Sequence, residues 1–124
     1  MKTTQRLLAV LFLVAVFSSR AAVAPAVDFT SPGEYLNYGY PFNNVGWEFD
    51  VLEPVEVVAL GYYDHNRDGL AASHPVGLWD PQGTLLARTN VAPSDPLTGF
   101  FRYRAIAPVR LVPGIGYRIG AMAR

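Results

Sequence analysis

Six consecutive residues, Asp64-His65-Asn66-Arg67-Asp68-Gly69, carry oxygen-bearing side chains at alternate positions and end on a glycine. Oxygens at the first, third and fifth positions of a loop can wrap a hard cation such as calcium, and a glycine at the sixth permits the sharp turn this requires. The twelfth position holds Pro75 instead of a bidentate glutamate, and no helical pattern flanks the loop, so it is not an EF-hand. Asp64, Asn66 and Asp68 are candidate calcium ligands, with a backbone carbonyl and water completing the shell. Three side chains fall short of the roughly six to eight oxygens calcium takes, so the expected affinity is weak, on the order of 10⁻⁴ to 10⁻³ M. The competing reading is a polar turn built from residues that turns favour.

Other reactive residue types are sparse. His65 and His74 are the only histidines and stand nine apart, without metal-ligand spacing, so His74 is expected to hydrogen-bond loop backbone. Ser31, Ser73 and Ser94 lack a nucleophile-elbow setting, and Glu53 and Glu56 flank a predicted turn, where carboxylates are usually solvated. These residues predict a protein that is not an enzyme. Aromatics offer a different chemistry, stacking on sugars: Tyr35, Tyr38 and Tyr40 lie in an irregular segment and are the candidate ligand contacts, whereas Trp47 and Trp79 are assigned to the core.

The elements that must hold these residues follow from composition and pattern. A chain of 124 residues, 51% hydrophobic and 16% charged, supports one small domain and is too apolar to be disordered. The absence of cysteine excludes a disulfide scaffold and thiolate metal sites, and ten basic against ten acidic residues leave no electrostatic footprint for nucleic acid. Lys2 and Arg6 precede an apolar run, Leu7 to Phe17, that is about half the length needed to span a bilayer, and Ala21 to Ala26 offers small-residue cleavage sites. Residues 1–26 therefore read as a secretory signal peptide and cleavage region. The mature chain, 27–124, is expected outside the cytoplasm, secreted or periplasmic, with no membrane span.

Removing that segment leaves seven Arg against ten acidic residues, a net charge of −3. Nine of the acids lie between Asp28 and Asp80 and six of the Arg from Arg88 onward, which predicts charge pairing between strands distant in sequence. No stretch sustains a helical apolar period. Strand patterns recur at Trp47–Val51, Val55–Tyr63, Val76–Trp79, Thr84–Val91, Phe100–Ile106, Val109–Val112 and Tyr117–Ala123, which predicts an all-β fold: one antiparallel β-sandwich of about seven strands, immunoglobulin-like or jelly-roll-like. Leu52-Glu53-Pro54 is expected to reverse the first two strands, and Asp80-Pro81-Gln82-Gly83 to form a type I turn. Alternation places Trp47, Phe49, Val58, Leu60, Leu78, Leu86, Tyr103, Leu111 and Ile119 inside. It places Arg102, Arg104, Arg110 and Arg118 on one outward face, a stripe suited to an acidic polysaccharide.

Between Gly46 and Ala121 the order of short motifs resembles exported bacterial β-sandwich domains of the PEP-CTERM (exosortase-sorted) type and related surface proteins. The pieces are Gly46-Trp47-x-Phe49, Leu60-Gly61-Tyr62-Tyr63-Asp64-x-Asn66-x-Asp68-Gly69-Leu70, His74-x-Val76-Gly77-Leu78-Trp79-Asp80, Gly83-Thr84-Leu85-Leu86-Ala87, Phe101-Arg102-Tyr103, and Leu111-x-x-Gly114-x-x-Tyr117-x-Ile119-Gly120-Ala121. The resemblance implies a secreted, non-catalytic module. No sorting tail follows the domain, and the chain stops at Arg124 where similar proteins continue, which is read as a shortened frame or a missing edge strand. The expected function is a structural or adhesive module of the envelope or extracellular matrix, partnered by extracellular polysaccharide or other envelope proteins. The alternative is a carbohydrate-binding module assisted by calcium.

Overall fold

The computed structural model describes residues 22–32 and 43–123. Most of the predicted signal peptide, and with it Tyr35, Tyr38 and Tyr40, lies outside the described residues. The described chain forms seven strands and no helix: β1 (Asn43–Val51), β2 (Val55–Tyr63), β3 (His74–Trp79), β4 (Leu85–Val91), β5 (Leu97–Thr98), β6 (Phe101–Leu111) and β7 (Gly114–Ala123). They make two antiparallel sheets, in the orders β1-β7-β3-β4 and β2-β6-β5.

First strand pairs with last and second with penultimate, a nested winding closer to a jelly roll than to an immunoglobulin domain, whose first two strands are neighbours in one sheet. The chain does reverse at Leu52-Glu53-Pro54, but it passes there from one sheet to the other, so β1 and β2 are not paired. Asp80-Pro81-Gln82-Gly83 closes the β3–β4 hairpin as expected. The Gly83 amide donates to the Asp80 carbonyl at 3.0 Å, and Asp80 Oδ1 accepts the Gln82 and Thr84 amides at 2.9 and 2.8 Å. Gly83 has φ +84°, a conformation that β-carbon-bearing residues seldom adopt.

Two predicted strands, Phe100–Ile106 and Val109–Val112, are one strand, β6. Its pairing with β2 slips between Val57 and Ala59, which face Val109 and Ala105. Pro108, which has no amide to contribute to a ladder, sits in that slip. The slip inverts the apolar phase: Ile106 packs on the core before it, Val109 and Leu111 after it. Arg102 and Arg104 share the phase of Ile106 and pair with Tyr62 and Leu60, so they face the inter-sheet side. Phe101, Tyr103 and Ala105 face outward, the reverse of the alternation-based assignment.

Phe101 is nonetheless buried, at 6% exposure, because residues 28–32 lie on that outer face. The Phe29 ring stacks on it at 5.5 Å and meets Tyr63 edge-on at 5.6 Å, and the Tyr63 hydroxyl donates to the Pro32 carbonyl. Tyr103, half-buried there, has its phenol pKa raised, first by burial and then by the nearby Asp28 carboxylate.

The core between the sheets is Val51, Leu60, Val76, Leu78, Val91, Leu111 and Tyr117. Of the residues expected inside, Leu60, Leu78 and Leu111 are buried; Phe49, Leu86 and Ile119 pack partly buried against them. Trp47 is 43% exposed despite sharing a face with Ile119 and Leu78. It stands on the edge strand β1, and the three-stranded sheet is opposed to β3 and β4, so among the described residues no strand covers that part of the inner face.

Candidate functional site

The predicted cation loop joins β2 to β3 at one end of the sandwich. Asp64 continues the inward phase of Leu60 and Tyr62 and is 1% exposed, whereas Asn66 and Asp68 are exposed at the loop surface. Burial of a carboxylate requires a compensating charge and donors. Both are present: Arg102 Nε donates to Asp64 Oδ2 at 2.8 Å and the Gly69 amide donates to the same oxygen at 3.1 Å. The Asp64 amide donates to the Phe100 carbonyl at 2.8 Å. Arg67, at φ +61°, turns its guanidinium over the Phe100 ring at 5.4 Å. The loop is thus closed onto the 92–100 connection by an internal cation, Arg102. Among the described residues no three His, Asp or Glu side chains gather in a group able to hold a metal. Arg102 therefore already supplies positive charge at the Asp64 carboxylate, and only Asn66 and Asp68 keep their oxygens toward solvent.

A second ion pair extends the first. Arg102 also donates from Nη1 to the Asp95 carbonyl at 3.1 Å, and Arg104 Nε donates to Asp95 Oδ2 at 2.9 Å. That oxygen accepts the Ala92 amide as well, at 2.7 Å. The Arg104 hydrogen bond, followed by the Ala92 amide, holds the Asp95 carboxyl below its ordinary pKa, and the same pairing raises that of Arg104. His74 is buried under Tyr62, whose ring lies parallel to it at 3.8 Å, and its Nδ1 is 3.1 Å from the Met122 carbonyl; the backbone contact expected of it is made to a strand.

The four arginines assigned to one outward stripe are dispersed. Arg102 and Arg104 serve these inter-sheet pairs, Arg110 lies on the three-stranded sheet facing Glu56, and Arg118 lies on the four-stranded sheet. Arg118 Nε donates to Glu48 Oε2 at 3.1 Å, the cross-strand pairing that the segregation of charges predicted.

The other chemically distinctive place is the outer face of the four-stranded sheet. Gly46, Gly120 and Gly77 form one row across β1, β7 and β3, continued on β4 by Arg88. The next row is Glu48, Arg118 and Trp79, continued on β4 by Leu85. A Cβ built on Gly77 would stand 2.4 Å from Trp79 Cη2 and 2.8 and 2.9 Å from Cζ3 and Cζ2. Near-equal distances to the two flanking atoms, only slightly longer than the first, describe a point above the ring face; approach along the ring edge would make them much longer. The indole therefore lies flat on the sheet over Gly77, with its Cζ3 also 3.5 Å from where a Gly120 Cβ would be. Trp79 is half-buried on the outside of the sheet and not in the core to which it was assigned. Its neighbours in pattern could have revealed this: glycines at matching positions of two strands leave room for a ring to lie across them.

Residues 31–124 match the family described as Domain of unknown function (DUF4082). No curated protein and no solved structure matches the chain. No helix among the described residues is long and apolar enough to cross a membrane.

Proposed function

The chain belongs to the DUF4082 family, and from the geometry above and the sequence pattern we propose that it is a non-catalytic structural or adhesive β-sandwich module working outside the cytoplasm, in the bacterial envelope or extracellular matrix. One observation carries the reading: the side chains best equipped for chemistry are engaged with one another. Asp64 with Arg102 and Asp95 with Arg104 pin the two connections at one end of the sandwich to β6, which makes a rigid scaffold of the loops where binding or catalytic groups usually lie. The export signal at residues 1–26 and the resemblance to exosortase-sorted surface domains support the location. The partners this reading names are extracellular polysaccharide and other envelope proteins. A second reading, a carbohydrate-binding module, is favoured by the flat, outward Trp79.

Fractionation of bacteria producing the full chain tests the location. The expected product is shortened within residues 22–26 and recovered from the medium, periplasm or cell surface. A product that keeps Met1 and stays in the cytoplasm overturns the proposal.

A further inference from the structure

We propose that the outer face of the four-stranded sheet binds an acidic polysaccharide, with the Trp79 indole stacking on a pyranose ring and Arg88 pairing with that polymer's carboxylates. The inference deepens the module reading above and rests on it for its setting.

The shape of the face selects the ligand. Gly77 and Gly120 remove the side chains that would stand beside or beneath the indole, so a broad, flat apolar plate lies level with the sheet. Around it stand Arg88 at the end of the glycine row, Glu48 with Arg118 in the row of Trp79 itself, 55% and 53% exposed, and on the other side Leu85 of β4, which pairs with Trp79 and is 44% exposed. A pyranose ring has the complementary form, an apolar face of C–H groups edged by hydroxyls. A folded protein partner would require several hundred Å² of apolar contact on this side, more than one ring and the neighbouring Leu85 provide.

Charge sets the preference among polysaccharides. Arg118 is neutralised by Glu48 at 3.1 Å, whereas Arg88 is exposed and makes no ion pair among the described residues. Because it faces Gly77 in register, its guanidinium springs from beside the indole plate. A fork of donors there suits a planar carboxylate. The opposite outer face of the molecule also carries aromatics, but Phe29 of the same chain occupies them.

The test is affinity electrophoresis of the secreted chain in gels containing polygalacturonate, with neutral dextran as the comparison, alongside tryptophan fluorescence of Trp47→Phe, in which Trp79 is the remaining reporter. Polygalacturonate is expected to retard the wild type more than dextran does and to change the Trp79 emission. Trp79→Ala should weaken the retardation at least tenfold while lowering the melting temperature by only roughly 4–8 °C, so that the chain stays folded in the gel, and Arg88→Gln should weaken it for polygalacturonate while leaving the melting temperature unchanged. Equal migration in both gels, or full retardation of Trp79→Ala, overturns the site. An exported chain that is not retarded overturns this inference and leaves the module reading standing, whereas a chain retained in the cytoplasm overturns the module reading and leaves the electrophoretic result to judge the site.

Discussion

The two outer faces of the sandwich both carry aromatic side chains and differ in what covers them. On the three-stranded sheet, Phe101 and Tyr63 lie beneath Phe29 and the strap of residues 28–32, so the chain itself covers these rings. On the four-stranded sheet, Trp79 lies flat across a row of glycines with no aromatic partner among the described residues. An aromatic ring on a strand is thus neither core nor ligand platform by its type or its phase. The distinction depends on whether another part of the chain reaches it, and here sheet size and the path of the N-terminal strap decide.

The sharpest way to break that comparison is to truncate one ring on each face. Phe101→Ala removes a buried ring that the strap cannot refill, and should cost about 3–5 kcal/mol, enough to leave so small a domain largely unfolded near its former melting temperature. Trp79→Ala removes a ring that packs on one side, and should cost about 1 kcal/mol. Urea titrations of the two variants read this directly. Equal losses would mean that Trp79 belongs to the fold in the same way as Phe101 does.

The next effect concerns the polar end. Asp64→Ala leaves the Arg102 guanidinium, with only 16% of its side chain exposed, without its carboxylate. A loss of about 3 kcal/mol is expected, the low end for breaking a buried pair, because Arg102 keeps some solvent and its bond to the Asp95 carbonyl. Replacing both partners, Asp64→Leu with Arg102→Met, should recover part of that loss. A double variant as unstable as Asp64→Ala would show that shape and loop closure, not the unpaired charge, dominate the site.

How far this arrangement was legible follows from particular residues. The strands of β1 to β4 and β7, the hairpin at Asp80–Gly83 and the pairing of Glu48 with Arg118 all rest on local alternation, turn chemistry or charge segregation, which a single chain displays. The faces of β6 did not, because the slip opposite Val57 and Ala59 reverses the phase of Phe101 to Ile106 while leaving the alternation unbroken to the eye. The Asp64 loop was recognisable as special from its spacing. Its partner Arg102 was not, since it lies 38 residues away on a strand whose alternation assigned it to solvent. Trp47 was misassigned for a third reason, since coverage by a facing sheet is a property of the whole topology, whereas Trp79 has the outward phase of Gly77 and Arg118, which the alternation of a strand this short does not distinguish from the inward one.

A smaller effect is expected in acid. Asp95 ionises in the folded chain below its ordinary pKa, held there by Arg104 and the Ala92 amide, so the unfolded chain takes up this proton first as pH falls. The stabilisation is full above the ordinary carboxylate range, about pH 4, and is lost as pH falls from there through the depressed folded value. Melting temperatures should therefore drop below about pH 4 in the wild type, and less steeply in Asp95→Asn. Parallel acid limbs would remove the Asp95–Arg104 pair from the account of stability.

The smallest effect is calcium's. Asp64 is the loop's buried carboxylate, and Arg102 stands 2.8 Å from it where an entering divalent ion would be repelled, so the two cations compete for one anion. In the wild type, millimolar calcium should move the melting temperature by no more than about a degree, since the stabilisation, RT ln(1 + [L]/Kd), stays near zero while Arg102 keeps the dissociation constant well above the calcium concentration. In Arg102→Met the carboxylate loses its guanidinium, and Asp64 with Asn66 and Asp68 becomes a set of oxygens lacking a cation. Calcium should then restore part of the lost stability, and a chelator should abolish the recovery. A wild-type gain of several degrees that disappears in Asp64→Ala would instead make the loop a calcium site in its own right, with Arg102 displaced on binding.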